Sequence, residues 1–279
     1  MSGIDLHVHS DKSDGTCTPS ELVALAKKAG LSAFALTDHD TVAGVSEAVA
    51  AGQKAAVRVI PGVELSALYE GKDIHIVGLN IDPNCGELLS TMAHYRAARD
   101  TRNEKMMLLL QRQGFDITTQ KLRERFPDAV LTRAHTARYL MEHGYTGSIA
   151  EGFERYISEG CPCYVAKEYI PLQQAIRLIL QAGGSPVLAH PFQYHFTDPE
   201  LETLVRQAAA YGLKGIEVFY TTHSKEQTQH SRRLADRYGL FESGGSDFHG
   251  SNKPDISIGT GFGNLHISET LLSFLTDNR

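Results

Sequence analysis

Ile4-Asp5-Leu6-His7-Val8-His9 reads as a β-strand. Working outward, Thr18-Pro19-Ser20-Glu21 opens a helix, with Thr18 as N-cap and Pro19 in the first turn, where a missing N–H leaves no bond unmade. That helix carries Leu22, Leu25 and Ala26 and ends near Gly30. A second strand follows at 33–37, a helix at 45–54, and strands at 58–64 and 74–79. The same grammar returns late in the chain. A helix at 172–182 precedes Pro186-Val187-Leu188-Ala189-His190, and a helix at 199–211 precedes a strand at 215–220. A helix at 225–238 then precedes a strand at 240–244, and a short last helix is expected at 269–276 with Ser268 as cap. Such alternation argues for a parallel sheet with crossover helices, and about seven strands in series point to a closed or nearly closed β/α barrel.

The segment 92–165 breaks the pattern, offering helices without a convincing strand. One long helix is expected at 92–113, stopping at Gly114, and a short one at 121–125. A third starts at Thr132 and includes Ala137, Tyr139, Leu140 and Met141, and a fourth covers 149–157. The expected organisation is a barrel built from 1–91 and 166–279, with a small helical domain, 92–165, inserted as a lid or as a packing accessory.

Composition narrows the class. The chain has 279 residues, 42% hydrophobic and 22% charged, enough for one large domain with a substantial core. The run Met106-Met107-Leu108-Leu109-Leu110 is far too short to span a bilayer, and the N-terminus has neither a basic nor an apolar leader segment. A cytoplasmic location without membrane association is expected. Cys17, Cys85, Cys161 and Cys163 lack zinc-knuckle or redox spacing and read as free thiols. A net charge of −6 disfavours binding of long duplex nucleic acid. The segment 92–165 nevertheless carries 11 Lys/Arg against 9 Asp/Glu, so the acidic excess lies in the barrel. A small phosphorylated substrate fits this balance.

Chemistry gathers at the strand ends. His7 and His9, two apart on one strand, leave the same face. Asp14 lies in Ser13-Asp14-Gly15, His39 in Thr37-Asp38-His39-Asp40, and Glu64 ends its strand. His75 lies on the next strand, His190 ends another, and Asp247 and His249 follow the last in Gly245-Ser246-Asp247-Phe248-His249. A lone histidine at a strand end is usually unremarkable. Nine such donors at the face where barrel enzymes place their chemistry are not. They exceed the demand of one ion and suggest two or three, and imidazole with carboxylate suits manganese, iron or zinc better than calcium.

Taken in order, these motifs resemble the polymerase-and-histidinol-phosphatase (PHP) family of the amidohydrolase superfamily, and within it the stand-alone members with a helical insertion. The resemblance implies a distorted (β/α)7 barrel and three divalent transition-metal ions, manganese first, with iron or zinc as alternatives. It implies that His7, His9, Glu64 and Asp247 hold one ion and that Glu64, His75 and His190 hold a second. Asp14, His39 and His249 would hold the third.

The expected reaction is hydrolysis of phosphate esters of small nucleotide-like or sugar-like substrates through in-line attack by a metal-bridging hydroxide. Asp247, Glu64 and His223 are the expected catalytic residues. Asp5, Asp38 and Asp40 are candidates to support the ligands from behind. Arg133 at a helix start, Lys167 where the chain returns to the barrel, His223 after a strand and His195 after His190 are the candidate substrate-binding residues. The resemblance offers two substrate classes. One is nucleotide 3′,5′-bisphosphates and short 5′-phosphorylated oligonucleotides; the other is small cyclic phosphates that are opened and then dephosphorylated. Gln193 stands near where the bisphosphate enzymes tend to offer an arginine, and 161–167 lacks the Gly-Lys-Pro-Gly run expected there, which favours the cyclic class. An amidohydrolase cleaving a C–N bond and a non-catalytic barrel are the rivals from other classes.

Overall fold

The computed structural model describes residues 3–127 and 129–275. Strands β1 (Gly3–Val8), β2 (Leu31–Leu36) and β3 (Arg58–Tyr69) pair in parallel, with α1 (Pro19–Lys28) and α2 (Val45–Ala55) as crossovers. α1 is closed by a capping box: the Thr18 hydroxyl accepts from the Glu21 N–H, and the Glu21 carboxylate accepts from the Thr18 N–H at 2.8 Å.

β3 then turns directly into β4 (Lys72–Leu79) through Glu70 and Gly71, at φ 47° and 79°. A two-residue loop with both residues at positive φ joins antiparallel strands and leaves no room for a crossover helix. β4 therefore runs antiparallel to β3, departing from the all-parallel expectation.

The insertion follows: α3 (Gly86–Arg112), α4 (Thr119–Arg125), α5 (Arg133–Glu142) and α6 (Ile149–Gly152), the last running into a π-helical turn, Phe153–Ile157. α3 starts ahead of the expected residue 92, and its 27 residues extend about 40 Å at 1.5 Å per residue. Leu88 and Met92 near its start pack into the barrel core. Met106, Met107 and Leu110 near its end pack with Ile117, Leu122, Leu140 and Ile157 in a core of the insertion's own. One continuous helix thus belongs to both bodies.

The chain returns through the short strand β5 (Ile170–Pro171), paired with β3, and α7 (Leu172–Gln181). β6 (Ser185–Leu188), α8 (Asp198–Tyr211), β7 (Gly215–Tyr220), α9 (Lys225–Tyr238) and β8 (Phe241–Gly245) complete the barrel. β6 is antiparallel to β4, and β6, β7 and β8 are mutually parallel. The path β1-β2-β3-β4-β6-β7-β8 nearly closes, because residues just past β8 reach back to β1. The His9 N–H donates to the Phe248 carbonyl at 3.0 Å and the Asp247 N–H to the His7 carbonyl at 2.9 Å. A seven-strand, nearly closed mixed α/β barrel is the result. The C-terminal segment Glu269–Leu275 is a 3-10 helix, and residue 276 of the expected last helix lies outside the described residues.

Gly245 shows how tight the closure is. A Cβ there would lie 2.3 Å from His7 Cβ and 2.5 Å from its nitrogen. Gly245→Ala is expected to cost roughly 1–3 kcal/mol in urea unfolding, the range of overpacked sites. Gly86→Ala, whose Cβ would meet nothing within 4 Å, should stay near wild type. Equal stability of the two variants would contradict this view of the barrel seam.

Candidate metal centre

Six of the strands deliver the donors to one site of the barrel. β1 carries His7 and leads into His9, β2 leads into His39, and β3 and β4 carry Glu64 and His75. His190 follows β6, and Asp247 and His249 follow β8. Asp40, His190 and Asp247 sit at positive φ of 51°, 25° and 56°, a region uncommon for non-glycine residues.

The structure brings all nine expected donors together. Glu64 is the hub, with only 1% of its surface exposed. Its Oε2 lies 3.2 Å from His7 Nε2, 3.2 Å from His9 Nε2 and 3.1 Å from His39 Nδ1. Its Oε1 lies 2.9 Å from His75 Nδ1 and 3.1 Å from His190 Nε2. Asp247 Oδ1 sits 3.4 Å from His9 Nε2 and 3.3 Å from His249 Nδ1. Asp14 Oδ1 lies 3.2 Å from His249 Nε2. Four overlapping groups each place their donor atoms within 4.8 Å of one another: His9/Asp14/His39/His249, His7/Glu64/His190, His7/His9/Asp247 and His39/Glu64/His75.

The donor chemistry fits metal ions. His7 Nε2, both His9 nitrogens, His39 Nδ1, Asp14 Oδ1 and Glu64 Oε2 are buried and make no hydrogen bond. Buried polar atoms are normally satisfied, and such a concentration at one point calls for cations. Electrostatics agree. Burial alone would raise the Glu64 carboxyl, but His39, His7 and His75 hold it well below the usual carboxylate range. Asp247 is likewise held low by Lys253 and His249 against its burial, and Asp14 by His39 and His249.

A supporting layer orients the donors. Glu217 is a buried carboxylate that accepts from His7 Nδ1 at 2.9 Å and from the His190 N–H at 2.6 Å. This directs His7 Nε2 toward Glu64. His249 Nδ1 donates to the Asp247 carbonyl at 2.9 Å, which turns its Nε2 toward Asp14. Asp5 accepts from the Ser246 N–H and hydroxyl and from the Gly259 N–H, tying the loop of Asp247 to β1. Asp38 accepts from the hydroxyls of Ser10 and Ser13, both at 2.6 Å, and fixes the loop that carries Asp14. Asp40 pairs with Arg99 of α3 and accepts from the Ser66 N–H. The insertion also grips this loop. The Val130 N–H donates to the Lys12 carbonyl, and Arg138 reaches the Asp14 carbonyl through Asn252.

Two adjoining cavities, of about 210 and 280 Å³, share Asp14, His39, His75, Ala134 and Phe153. Arg133 and Lys167 line the first, together with Arg99 and Arg102, which the sequence reading did not single out. Arg99, Arg102 and the nearby Arg96 recur three apart on α3, a spacing that places them on one helix face. Lys167 pairs with Asp73 at 3.1 Å, and burial, with Arg99 nearby, pulls its pKa down to about 8. Among the described residues, Arg102 and Arg133 form no ion pair within 4.0 Å. Gln193, Asn252 and Lys253 line the second cavity, and Lys253 donates to Asp247 Oδ2 at 2.5 Å.

Two candidates are not brought to the site. His223 donates from Nδ1 to the Val218 carbonyl, packs against Phe192 and Tyr220, and lines neither cavity. Its position one turn past β7 points it behind Tyr220, whose hydroxyl is the group that reaches Asp247, at 2.7 Å. His195 is exposed in a left-handed turn at φ 53° and lines neither cavity. The geometry supports neither the catalytic reading of His223 nor the substrate-binding reading of either residue. All four cysteines are free, as expected.

The PHP domain model matches residues 5–182. The chain belongs to the PHP-domain family. A 5′-3′ exoribonuclease of Haemophilus influenzae is 36% identical over 88% of this chain and 89% of its own. A 3′,5′-nucleoside bisphosphate phosphatase of Chromobacterium violaceum is 35% identical over 93% and 91%. A phosphoribosyl 1,2-cyclic phosphate 1,2-diphosphodiesterase of Eggerthella lenta is 30% identical over 88% and 94%. A crystal structure of a metal-dependent phosphoesterase from Bifidobacterium adolescentis superposes with a TM-score of 0.88 at 29% identity, covering 99% of this chain and 96% of the other. The protein is a metal-dependent phosphoesterase of this family. No helix among the described residues is long and apolar enough to cross a membrane.

Glu217 is the member of the supporting layer that sequence reading passed over. Glu217→Gln is expected to weaken metal affinity roughly 10–100-fold, measured by competition with a chelator, while the circular dichroism spectrum stays native. Unchanged affinity would remove Glu217 from the metal centre.

Proposed function

We propose that this PHP phosphoesterase removes one phosphate from small nucleotides carrying two, of the 3′,5′-bisphosphate kind, or from the phosphorylated end of a short oligonucleotide. The observation that carries this reading is the cationic cavity beside the metal centre. Arg99, Arg102, Arg133 and Lys167 line it beside Asp14 and Asp73; Arg99 is paired with Asp40 and Lys167 with Asp73. Arg102, desolvated and near Arg99 and Arg133, has its pKa lowered to about 10 and keeps its charge at neutral pH. Arg102 donates through Nε to the Asn103 amide oxygen and Arg133 lies over the Tyr164 ring, so among the described residues neither guanidinium has a carboxylate within 4.0 Å and both have donors to offer an anion. This cationic wall outweighs the absence of an arginine near Gln193, which on sequence alone favoured a cyclic phosphate.

We assign three ions to the nine donors, with Glu64 shared by two of the three sets, and manganese is the ion to try first. When bound, such ions lower the pKa of a water and neutralise the phosphoryl oxygens. The chain's own groups do the rest. The first cavity holds the spared phosphate and so aligns the scissile one over Glu64, Asp14 and Asp247. Tyr220 and Lys253 occupy Asp247 Oδ2 and leave Oδ1 facing the imidazoles.

A substrate panel tests the assignment. With manganese, adenosine 3′,5′-bisphosphate should release one equivalent of phosphate with a kcat/KM at least tenfold above adenosine 5′-monophosphate and above a five-membered cyclic ribose phosphate. Faster turnover of the cyclic ester would instead place this protein with the Eggerthella relative, and no phosphate release from any ester would contradict the reading outright.

Lys167 adds a pH signature. Its ammonium is present below about pH 8 and lost above it. The kcat/KM for the bisphosphate should therefore fall as pH rises through about 8, a free-enzyme limb. Lys167→Arg should flatten that limb, because guanidinium stays charged. p-Nitrophenyl phosphate, which has no second phosphate, should lack it in both proteins. A limb of equal size with both substrates would detach Lys167 from the second phosphate.

A further inference from the structure

The lining of the larger cavity divides by origin. Its polar part is the barrel's: Asp14, His39, Glu64, His190, Asp247 and their neighbours. Its apolar part, Ala134, Ile149 and Phe153, comes wholly from the insertion. Phe153 also lines the cationic cavity and so stands at the junction of the two.

This apolar wall is firmly backed. Phe153 opens the π-helical turn that continues α6, with the Ser158 N–H donating to its carbonyl at 3.0 Å. Such turns recur at functional sites because they re-aim a side chain without ending the helix. Gly152 beside it is wedged against Ala137 of α5, where an added Cβ would sit 3.2 Å from the alanine Cβ. Ile149 and Phe153 pack on the insertion's own core. The half-buried ring is therefore held in place at the cavity rather than free on a loop.

A sugar phosphate alone is covered with hydroxyl groups that need polar partners, and an apolar wall satisfies none of them. A nucleobase presents a flat π-face, which an aromatic ring accepts whatever the base identity. Resting on the bisphosphate reading above, we infer that Phe153, flanked by Ile149 and Ala134, is the stacking wall for a nucleobase. The insertion thereby makes nucleosides, not bare sugar phosphates, the substrate class.

The test compares adenosine 3′,5′-bisphosphate with 1-deoxyribose 3,5-bisphosphate, which keeps both phosphates and lacks the base. Wild-type enzyme should favour the nucleoside roughly 10- to 100-fold in kcat/KM, chiefly through KM, the span of one base–aromatic stack. In Phe153→Ala that preference should collapse toward one, and in Phe153→Trp it should persist. Phe153→Leu keeps most of the apolar volume without a ring, guards against misfolding of the alanine variant, and should lose the preference too. Equal turnover of both compounds by the wild type, or a preference retained in the leucine variant, would overturn the inference. If the wild type hydrolyses p-nitrophenyl phosphate but neither bisphosphate, the bisphosphate reading fails first and the inference falls with it.

Discussion

The buried carboxylate of Glu64, set against five imidazoles, is the constraint around which the rest of this barrel is arranged. Both oxygens lie within 3.2 Å of histidine nitrogens from four different strands and the loops that follow them. A charge in this position is stable only if cations meet it, because isolated burial of a carboxylate is costly. Around it stand the positive-φ residues Asp40, His190 and Asp247, the tight glycine seam at Gly245 and the deeply buried Glu217. Glu217 deserves the place beside Glu64 because it touches two of the donor residues at once, His7 through its ring and His190 through its backbone.

The insertion completes what the barrel begins. The barrel supplies donors for cations, and the insertion supplies Arg99, Arg102, Arg133 and the apolar wall around Phe153. It is fastened by α3, which shares both cores, and by hydrogen bonds to the loop of Asp14. The Asp40–Arg99 pair joins a strand end of the barrel to the cationic cavity. The donor cluster and the cationic cavity are thereby joined through the insertion's contacts with the Asp14 loop.

Much of this was legible in the chain because the signals are local. His7-Val8-His9, Asp14, His39, Glu64, His75, His190 and Asp247-Phe248-His249 each sit at or just past a strand read from a few residues, and alternation of strand and helix disclosed the barrel. What escaped was non-local or disguised. The direction of β4 was set by Glu70-Gly71, a two-residue turn that passes for an ordinary connection. Glu217 hides in an otherwise apolar strand, Gly215–Tyr220, and nothing but tertiary contact reveals its partners. Arg99 and Arg102 lie on a helix whose spacing reads equally as a solvated face, and only packing against the barrel turns it inward. His195 and His223 lie close in sequence to a donor or a strand end, but in the fold neither lines the cavities.

The most direct test of the central claim is the anomalous diffraction of crystals grown with manganese and adenosine 3′,5′-bisphosphate, using a slowly turned-over phosphorothioate analogue. Three manganese peaks around Glu64, one of them beside Asp14 and His249, with a second phosphate on Arg102, Arg133 and Lys167, are the expected result. A single peak, peaks away from Glu64, or a ligand bound with no phosphate in the arginine cavity would contradict it.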